Sequence, residues 1–425
     1  MTNKILERHY YAFDIETLSP LNASNGININ TDCDVFRDGN NEVIVTGTSL
    51  AGSFRSFLDD SNKENSKFGF SIKKNHTSIS KMSSFYISDL HLIDTSVVNR
   101  DNVSLNKDKT VNNKFDMELV EPGAKGTIYI NYLIREENEK SKGEYDTFIS
   151  NIINGINDGQ IRLGRKKNRG FGLIKINKIY YSTFNFDNVN DYIEFKKDFK
   201  NKNKYQKQNV SIAEVAKQRI EKYLSFSTNF KIPGCLIIKS YSANIGEEDH
   251  SHIQSNNKPI ISGTSFAGVI RNRAKFILDE LKYEESQKLI NNWFGYADTN
   301  DSHQSDIIIS ESKIDGGFEL SRYRIAIDRF TGGIIDGALF NEKVHCKGDV
   351  SLNILVRKKD GYEAIVGLLA LVIRDLAKGY APIGGESNIG YGILEGDGRL
   401  LFKDNIDFKK CNEELFKLLN GKEEK

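Results

Sequence analysis

Gly47-Thr48-Ser49-Leu50-Ala51-Gly52-Ser53-Phe54-Arg55 returns later in the chain as Gly263-Thr264-Ser265-Phe266-Ala267-Gly268-Val269-Ile270-Arg271. A second glycine-rich stretch does the same: Gly164-Arg165-Lys166-Lys167-Asn168-Arg169-Gly170-Phe171-Gly172 returns as Gly384-Gly385-Glu386-Ser387-Asn388-Ile389-Gly390-Tyr391-Gly392. The order is kept, and so is the spacing: Gly47 to Gly164 spans 117 residues and Gly263 to Gly384 spans 121. A repeat this long is a duplicated domain, not a solenoid unit of roughly 20–50 residues. Each copy can therefore be read against the other.

Around these motifs the first copy predicts strands at 9–18, 42–45, 85–92, 126–134 and 173–181, with helices at 49–58 and 148–156. The second predicts strands at 229–241, 259–261, 307–310, 349–356 and 392–394, with helices at 265–281 and 362–376. That β-α-β-β-α-β order is the split βαβ, ferredoxin-like arrangement. A polar loop precedes each helix-start motif, at 20–38 and 242–257. Arg100-Asp101-Asn102-Val103-Ser104-Leu105-Asn106-Lys107 also aligns with Arg322-Tyr323-Arg324-Ile325-Ala326-Ile327-Asp328-Arg329. Each is followed by a Phe and Glu pair, Phe115 with Glu118 and Phe340 with Glu342, which predicts a projecting hairpin in each copy. The fold class is α+β, with domains at 1–194 and 226–425. Residues 195–225 read as a Lys- and Asn-rich linker followed by a connecting helix at 212–224.

The 425 residues hold 59 basic and 58 acidic side chains, a net charge of +1, so any basic surface must be local. Cys33, Cys235, Cys346 and Cys411 form no CxxC pair, which argues against a zinc site and a disulfide framework. The N-terminus is polar, and no apolar run approaches the roughly 18 residues of a membrane span. A soluble cytoplasmic protein without a membrane partner is expected.

Three sets of residues carry chemistry. At the helix starts, Gly47, Thr48 and Ser49, and Gly263, Thr264 and Ser265, offer backbone N–H groups and hydroxyls to phosphate oxygens. Gly52 and Gly268 would permit close approach, and Arg55 and Arg271 could pair with a phosphate. An ordinary capped helix explains the same residues. In the loop 164–172, Arg165, Lys166, Lys167 and Arg169 stand among Gly164, Gly170 and Gly172, beside Phe171. Counter-charge, backbone donors and a stacking face suit a sugar-phosphate chain, although charge runs are often plain surface. The second loop keeps Gly384, Gly385 and Gly390 but replaces the cations with Glu386, Ser387 and Asn388. The third set is acidic: Asp32 lies 15 residues before Gly47, and Asp249 lies 14 before Gly263. Loop aspartates commonly form turns; here they would overhang the candidate phosphate sites. His250 and His252 beside Asp249 are candidate acid–base groups or metal ligands.

Together these stretches resemble the RAMP superfamily of CRISPR-associated proteins, and within it the backbone subunits of type III effector complexes. The family's helix-start motif, Pro-Gly-Ser/Thr-Ser-Leu-Lys-Gly, is similar to Thr46-Gly47-Thr48-Ser49-Leu50-Ala51-Gly52 and Ser262-Gly263-Thr264-Ser265-Phe266-Ala267-Gly268, with proline and lysine absent from both. Its thumb-flanking text matches Ala326-Ile327-Asp328-Arg329-Phe330-Thr331-Gly332 and Gly337-Ala338-Leu339-Phe340. Its catalytic loop, Asp-x-Pro-Val-x-x-Asp-Gly, matches Asp32-Cys33-Asp34-Val35-Phe36-Arg37-Asp38-Gly39 with Asp34 in place of proline.

The resemblance implies two tandem ferredoxin-like or RRM-like RAMP domains, each with a thumb hairpin, as in fused backbone proteins of the type III-D branch. It implies guide RNA (crRNA) held by the glycine motifs and target RNA cut at Asp32, with Asp249 as counterpart by position. A divalent cation such as Mg2+ is expected for cleavage, with Asp32 as a candidate contact, and no organic cofactor. The implied partners are guide and target RNA, a large polymerase/cyclase-like subunit, further RAMP subunits and a small subunit. Two alternatives stay open on the sequence: a non-catalytic guide scaffold, and a precursor-guide-processing ribonuclease using His250 and His252. A nucleotide-binding enzyme lacks the strand-GxGxxG-helix context.

Overall fold

The structure is a computed structural model describing residues 4–421 apart from 25, 27–29, 59–65, 75–76, 106–110, 188, 242–247, 298–301 and 405. Parts of both expected polar loops, and Asn106 and Lys107 of the hairpin motif, lie outside the described residues. The chain forms two compact units, one of residues 1–167 and 171–220, the other of 168–170 and 221–425.

In the first unit the strand Ile5–Thr17 pairs antiparallel with Ile174–Asn185 on one side and Lys125–Arg135 on the other. Phe85–Ile87 and Leu90–Ile93 pair with the outer edge of Lys125–Arg135. The spatial order is thus fourth, first, third, second, and helices Gly47–Leu58 and Lys142–Asn157 provide the two crossovers. The second unit repeats this order with Leu401–Phe402, Tyr223–Lys231, Asp349–Arg357, and Ile307–Ile309 with Ser312–Asp315. Its helices are Gly263–Glu280 and Tyr362–Ala377. The protein is two tandem ferredoxin-like α+β domains.

Strand periodicity accounts for a difference between the copies. Along Tyr223–Lys231, Leu224, Phe226, Thr228 and Phe230 are buried and their neighbours are not, so one face meets the core. In the first copy Tyr10, Tyr11, Ala12 and Phe13 are all buried. Tyr11 and Phe13 face the helices, while Tyr10 and Ala12 pack with Phe184, Tyr192, Phe195 and Tyr205 on the other face. A strand buried on both faces reads as a continuous apolar run.

The expectations for residues 195–225, the strand 392–394 and the cysteines need correcting. Residues 195–220, expected as linker and connecting helix, pack on the first unit. The helix Val189–Lys197 and Tyr205 cover its outer sheet face, and only Ile212–Val215 is helical beyond them. Ser150 and Asn154 of the helix Lys142–Asn157 donate to the Gln218 carbonyl and hold the chain extended there. The expected strand 392–394 is absent. The chain instead bridges from Glu395 to Lys231 and pairs again at Leu401–Phe402, interrupted by Gly396 and Gly398. Cys235 and Cys346 are distant in sequence but directly opposite on paired strands, where they form a disulfide. The C-terminal tail is an amphipathic helix, Phe408–Asn420, capped by Asp407 and packed through Cys411 and Leu415.

Both hairpins are present. Val97–Leu105 pairs with Val111–Val120, and Phe318–Ile327 pairs with Ile334–Cys346. No helix among the described residues is long and apolar enough to cross a membrane.

Candidate nucleic-acid interface and cleavage site

The two glycine loops share one backbone design. Leu163 N donates to Gly172 O, Gly172 N to Pro20 O, and Arg165 N to Asn22 O. In the second unit Ile383 N donates to Gly392 O, Gly392 N to Cys235 O, and Gly385 N to Ile237 O. Gly172 and Gly392 have positive φ, and a Cβ on either would run into the carbonyl it faces, Leu163 O or Ile383 O. Gly164 and Gly384 press against Asn22 O and Ile237 O in the same way. These glycines are therefore requirements of the loop's shape.

The loops differ in what they display. Arg165 is exposed, with Nη1 3.2 Å from Cys33 Sγ. Lys166, at φ 51°, donates to Asn102 Oδ1 at 3.1 Å and sits 4.4 Å from the centre of the Phe115 ring. Lys167 turns the other way and donates to Ser53 Oγ on the helix Gly47–Leu58 at 2.8 Å. In the second loop Glu386 takes the place of Lys166, at φ 59°. Its carboxylate accepts from Arg324 at 3.0 Å and from Lys239 at 2.8 Å. Both cations also pair with the buried Glu342. Hydrogen bonds from Arg324 and Lys239 hold the Glu386 carboxyl down at about 2. The hairpin roots match as well: Arg100 lies over Phe171 at 5.8 Å, and Arg322 over Tyr391 at 5.4 Å.

Asp32 stands at the root of the first hairpin. Its Oδ2 accepts from Asp116 N at 3.1 Å, and its own N donates to Asp116 Oδ1 at 2.9 Å. The loop beneath is tied down firmly. Buried Asp34 accepts from Asn30 N, Thr31 N and Thr31 Oγ1, so it closes the turn where the resemblance would place proline. Buried Glu118 accepts from Val35 N and, through both oxygens, from Arg37. Buried Asn22 donates to Cys33 O and Glu118 O. Asp32, Cys33, Phe115, Met117, Arg165 and Lys166 line one groove of about 410 Å³. That volume lies in the range of roughly 300–1,000 Å³ typical of ligand clefts. The structure thus brings Asp32 to Arg165 and Lys166, a juxtaposition that sequence spacing did not reveal. Asp116 was the missed partner; its place beside Phe115 in the hairpin motif was the available signal.

Asp249 occupies the matching place in the second unit: its Oδ2 accepts from Asn341 N at 3.1 Å. Asn341 follows Phe340 as Asp116 follows Phe115. His252 is buried, with Nδ1 accepting from Ile238 N and Nε2 donating to Ile260 O. Burial, with His345 nearby, pulls it down to about 4, so it is a neutral structural residue. His250 packs edge-on to Tyr241 at 4.7 Å.

The helix starts are capped alike. Thr46 Oγ1 accepts from Ser49 N and contacts the Thr48 and Ser49 hydroxyls. Ser262 does the same for Thr264 and Ser265. Gly47 N donates to Asp89 Oδ1 at 2.6 Å, so that N–H is already satisfied. Gly52 and Gly268 are exposed, and a Cβ on either would meet open space; the same holds for Gly390. Arg55 is half-buried on its helix. Arg271 donates to Gly295 O and Asn291 Oδ1, so its guanidinium ties two helices together. Arg169 and Gly170 cluster with the second unit.

Asp38, Glu42 and His91 are the described residues grouped closely enough to share a metal ion. His91 Nδ1 lies 3.7 Å from Asp38 and 3.6 Å from Glu42, and Asp38 also closes its own turn through Asn40 N and Glu42 N.

A family model for the RAMP superfamily matches residues 14–175 and again 235–395. The chain belongs to the RAMP superfamily. The first match begins within the strand Ile5–Thr17 and the second begins just after Tyr223–Lys231; each ends beyond its glycine loop, so each unit carries a RAMP domain. Membership points to a CRISPR-associated RNA-binding role. No curated protein matches the chain.

Proposed function

We propose that this RAMP protein is a guide-RNA-binding backbone subunit of a type III effector, and that its first domain cuts guide-paired target RNA at Asp32. The observation that carries the reading is the groove joining the Asp32 carboxylate to Arg165 and Lys166 at the root of a projecting hairpin. Base pairing with the guide supplies sequence specificity, and the protein reads the backbone. The hairpins wedge into the duplex and displace a nucleotide, which aligns its 2′-OH with the adjacent phosphate. The 2′ oxygen forms a bond to phosphorus and the P–O5′ bond breaks. Asp32 accepts the 2′-OH proton, and the departing O5′ takes a proton from solvent. The products are a 2′,3′-cyclic phosphate and a 5′-OH.

Asp32 and Asp116 each keep one carboxylate oxygen outside their mutual hydrogen bonds. Asp32, the carboxylate lining the groove, with Asp116 hydrogen-bonded to it, would hold Mg2+, which would stabilise negative charge on the phosphate when bound.

The second domain is assigned guide and target binding without cutting. Asp249 has the backbone contact of Asp32, but Glu386 replaces Lys166. The processing-ribonuclease reading loses support because His252 is buried with both ring nitrogens engaged. The proposed partners are the large, small and further RAMP subunits of a type III complex in the cytoplasm. The test is to load the chain and its partners with guide, add matched target and map the cuts. A cut lost in Asp32→Ala, with assembly unchanged, supports the reading; persistence of every cut in that variant refutes it.

A further inference from the structure

The first glycine loop sends neighbouring cations in opposite directions. Lys166 faces the hairpin, at Asn102 and Phe115, and with Arg165 lines the Asp32 groove. Lys167 faces the helix Gly47–Leu58, at Ser53. We propose that this loop serves two strands: Arg165 and Lys166 hold the target phosphodiester beside Asp32, while Lys167 holds the guide. The inference rests on the reading of Asp32 given above and goes beyond it by moving two loop cations from guide to target.

Three observations support it. Arg165 is exposed at the groove mouth with a guanidinium that can meet a phosphate through two N–H groups. Lys166 is steered into the groove by a left-handed backbone conformation and a ring beneath its ammonium. The second copy supplies the contrast: with the same loop backbone and one of the two aspartate contacts kept, its two positions are Gly385 and Glu386. There Glu386 and Glu342 occupy Arg324 and Lys239. One copy thus presents positive charge to a phosphate at its aspartate, and the other neutralises it internally. In the first copy Arg165 and Lys166 would offset the charge that builds on the phosphate as the 2′ oxygen attacks.

The experiment uses the complete guide-loaded complex with a target carrying 4-thiouridine at the cut linkage, and in parallel a guide labelled at the facing position. Arg165→Ala, Arg165→Lys and Lys167→Ala are compared for guide affinity, single-turnover cutting and photo-cross-linking. Arg165→Ala should slow the cut about 100-fold, leave guide affinity within about twofold and abolish the target cross-link to this loop, with partial recovery in Arg165→Lys. Lys167→Ala should weaken guide binding and leave the target cross-link to this loop in place. Loss of guide affinity in Arg165→Ala with normal cutting by loaded complexes, or cross-links from the guide alone, would overturn the proposal and leave the Asp32 assignment standing. A target cross-link at Arg165 in a complex whose cutting survives Asp32→Ala would do the reverse: the strand assignment would hold and the catalytic reading would fail.

Discussion

Asp32 and Asp116 hold one another from both sides, each carboxylate accepting the other's backbone N–H, at 3.1 and 2.9 Å. The exchange fixes an exposed loop aspartate against the hairpin. In the second unit one half of it survives, Asn341 N to Asp249 Oδ2 at 3.1 Å. Position is therefore preserved in both copies, and differences in chemistry must come from what surrounds the aspartate.

Asp32→Asn keeps an oxygen that can accept from Asp116 N but removes the base. It should fold and bind guide like the parent while losing the first-domain cut by at least about 100-fold. Denaturation midpoints and cut mapping on the same preparation check this. A normal cut rate in Asp32→Asn would rule out a carboxylate base.

Asp249→Ala should leave the pattern of cuts unchanged and lower stability only slightly, since Asp249 is exposed and offers one backbone hydrogen bond. Loss of a distinct cut, displaced along the target, would show that the second domain is active despite Glu386.

Glu118→Ala should be far more damaging than either. It strands the Val35 N–H and releases the partly exposed Arg37 guanidinium under the Asp32 loop, a loss on the order of 1–3 kcal/mol for the buried donor left unpaired. The expected result is a lower melting temperature together with loss of the Asp32 cut, although Glu118 does not face the groove. A melting temperature equal to the parent's would show that the loop is held by other contacts.

His252 gives the second unit a pH dependence with a definite sign. Its value falls from an ordinary 6.5 to about 4 on folding, so between those limits the unfolded chain binds more protons. The contribution is full above pH 6.5 and fades as pH drops towards 4, by up to about 3 kcal/mol. His345, also lowered by burial, acts in the same direction. Urea unfolding at pH 5 and pH 7 should show a smaller loss in His252→Gln than in the parent; parallel losses would remove His252 as the cause.

The duplicated fold was legible because its signals are local. Apolar alternation marked the strands, and repeated glycines marked loops whose carbonyls tolerate no Cβ at Gly172 and Gly392. What was hidden depended on distant residues meeting. Nothing near Asp32 in sequence points to Asp116, and the lysine-rich text of 195–209 masked Phe195 and Tyr205, which cover the back of the first sheet. The Cys235–Cys346 bond was missed for the same reason, since its sulfurs are 111 residues apart along the chain. The continuous run Tyr10-Tyr11-Ala12-Phe13 was the one clue that a second layer must exist.

The glycine loops separate shape from charge. Glycines and backbone hydrogen bonds set the curve, and its third position, left-handed in both loops, carries lysine in one and glutamate in the other. Lysine and glutamate codons differ by a single base. After a duplication, one point mutation at that position could change the charge a loop displays and leave its frame intact, giving sister domains a short genetic route to a division of labour.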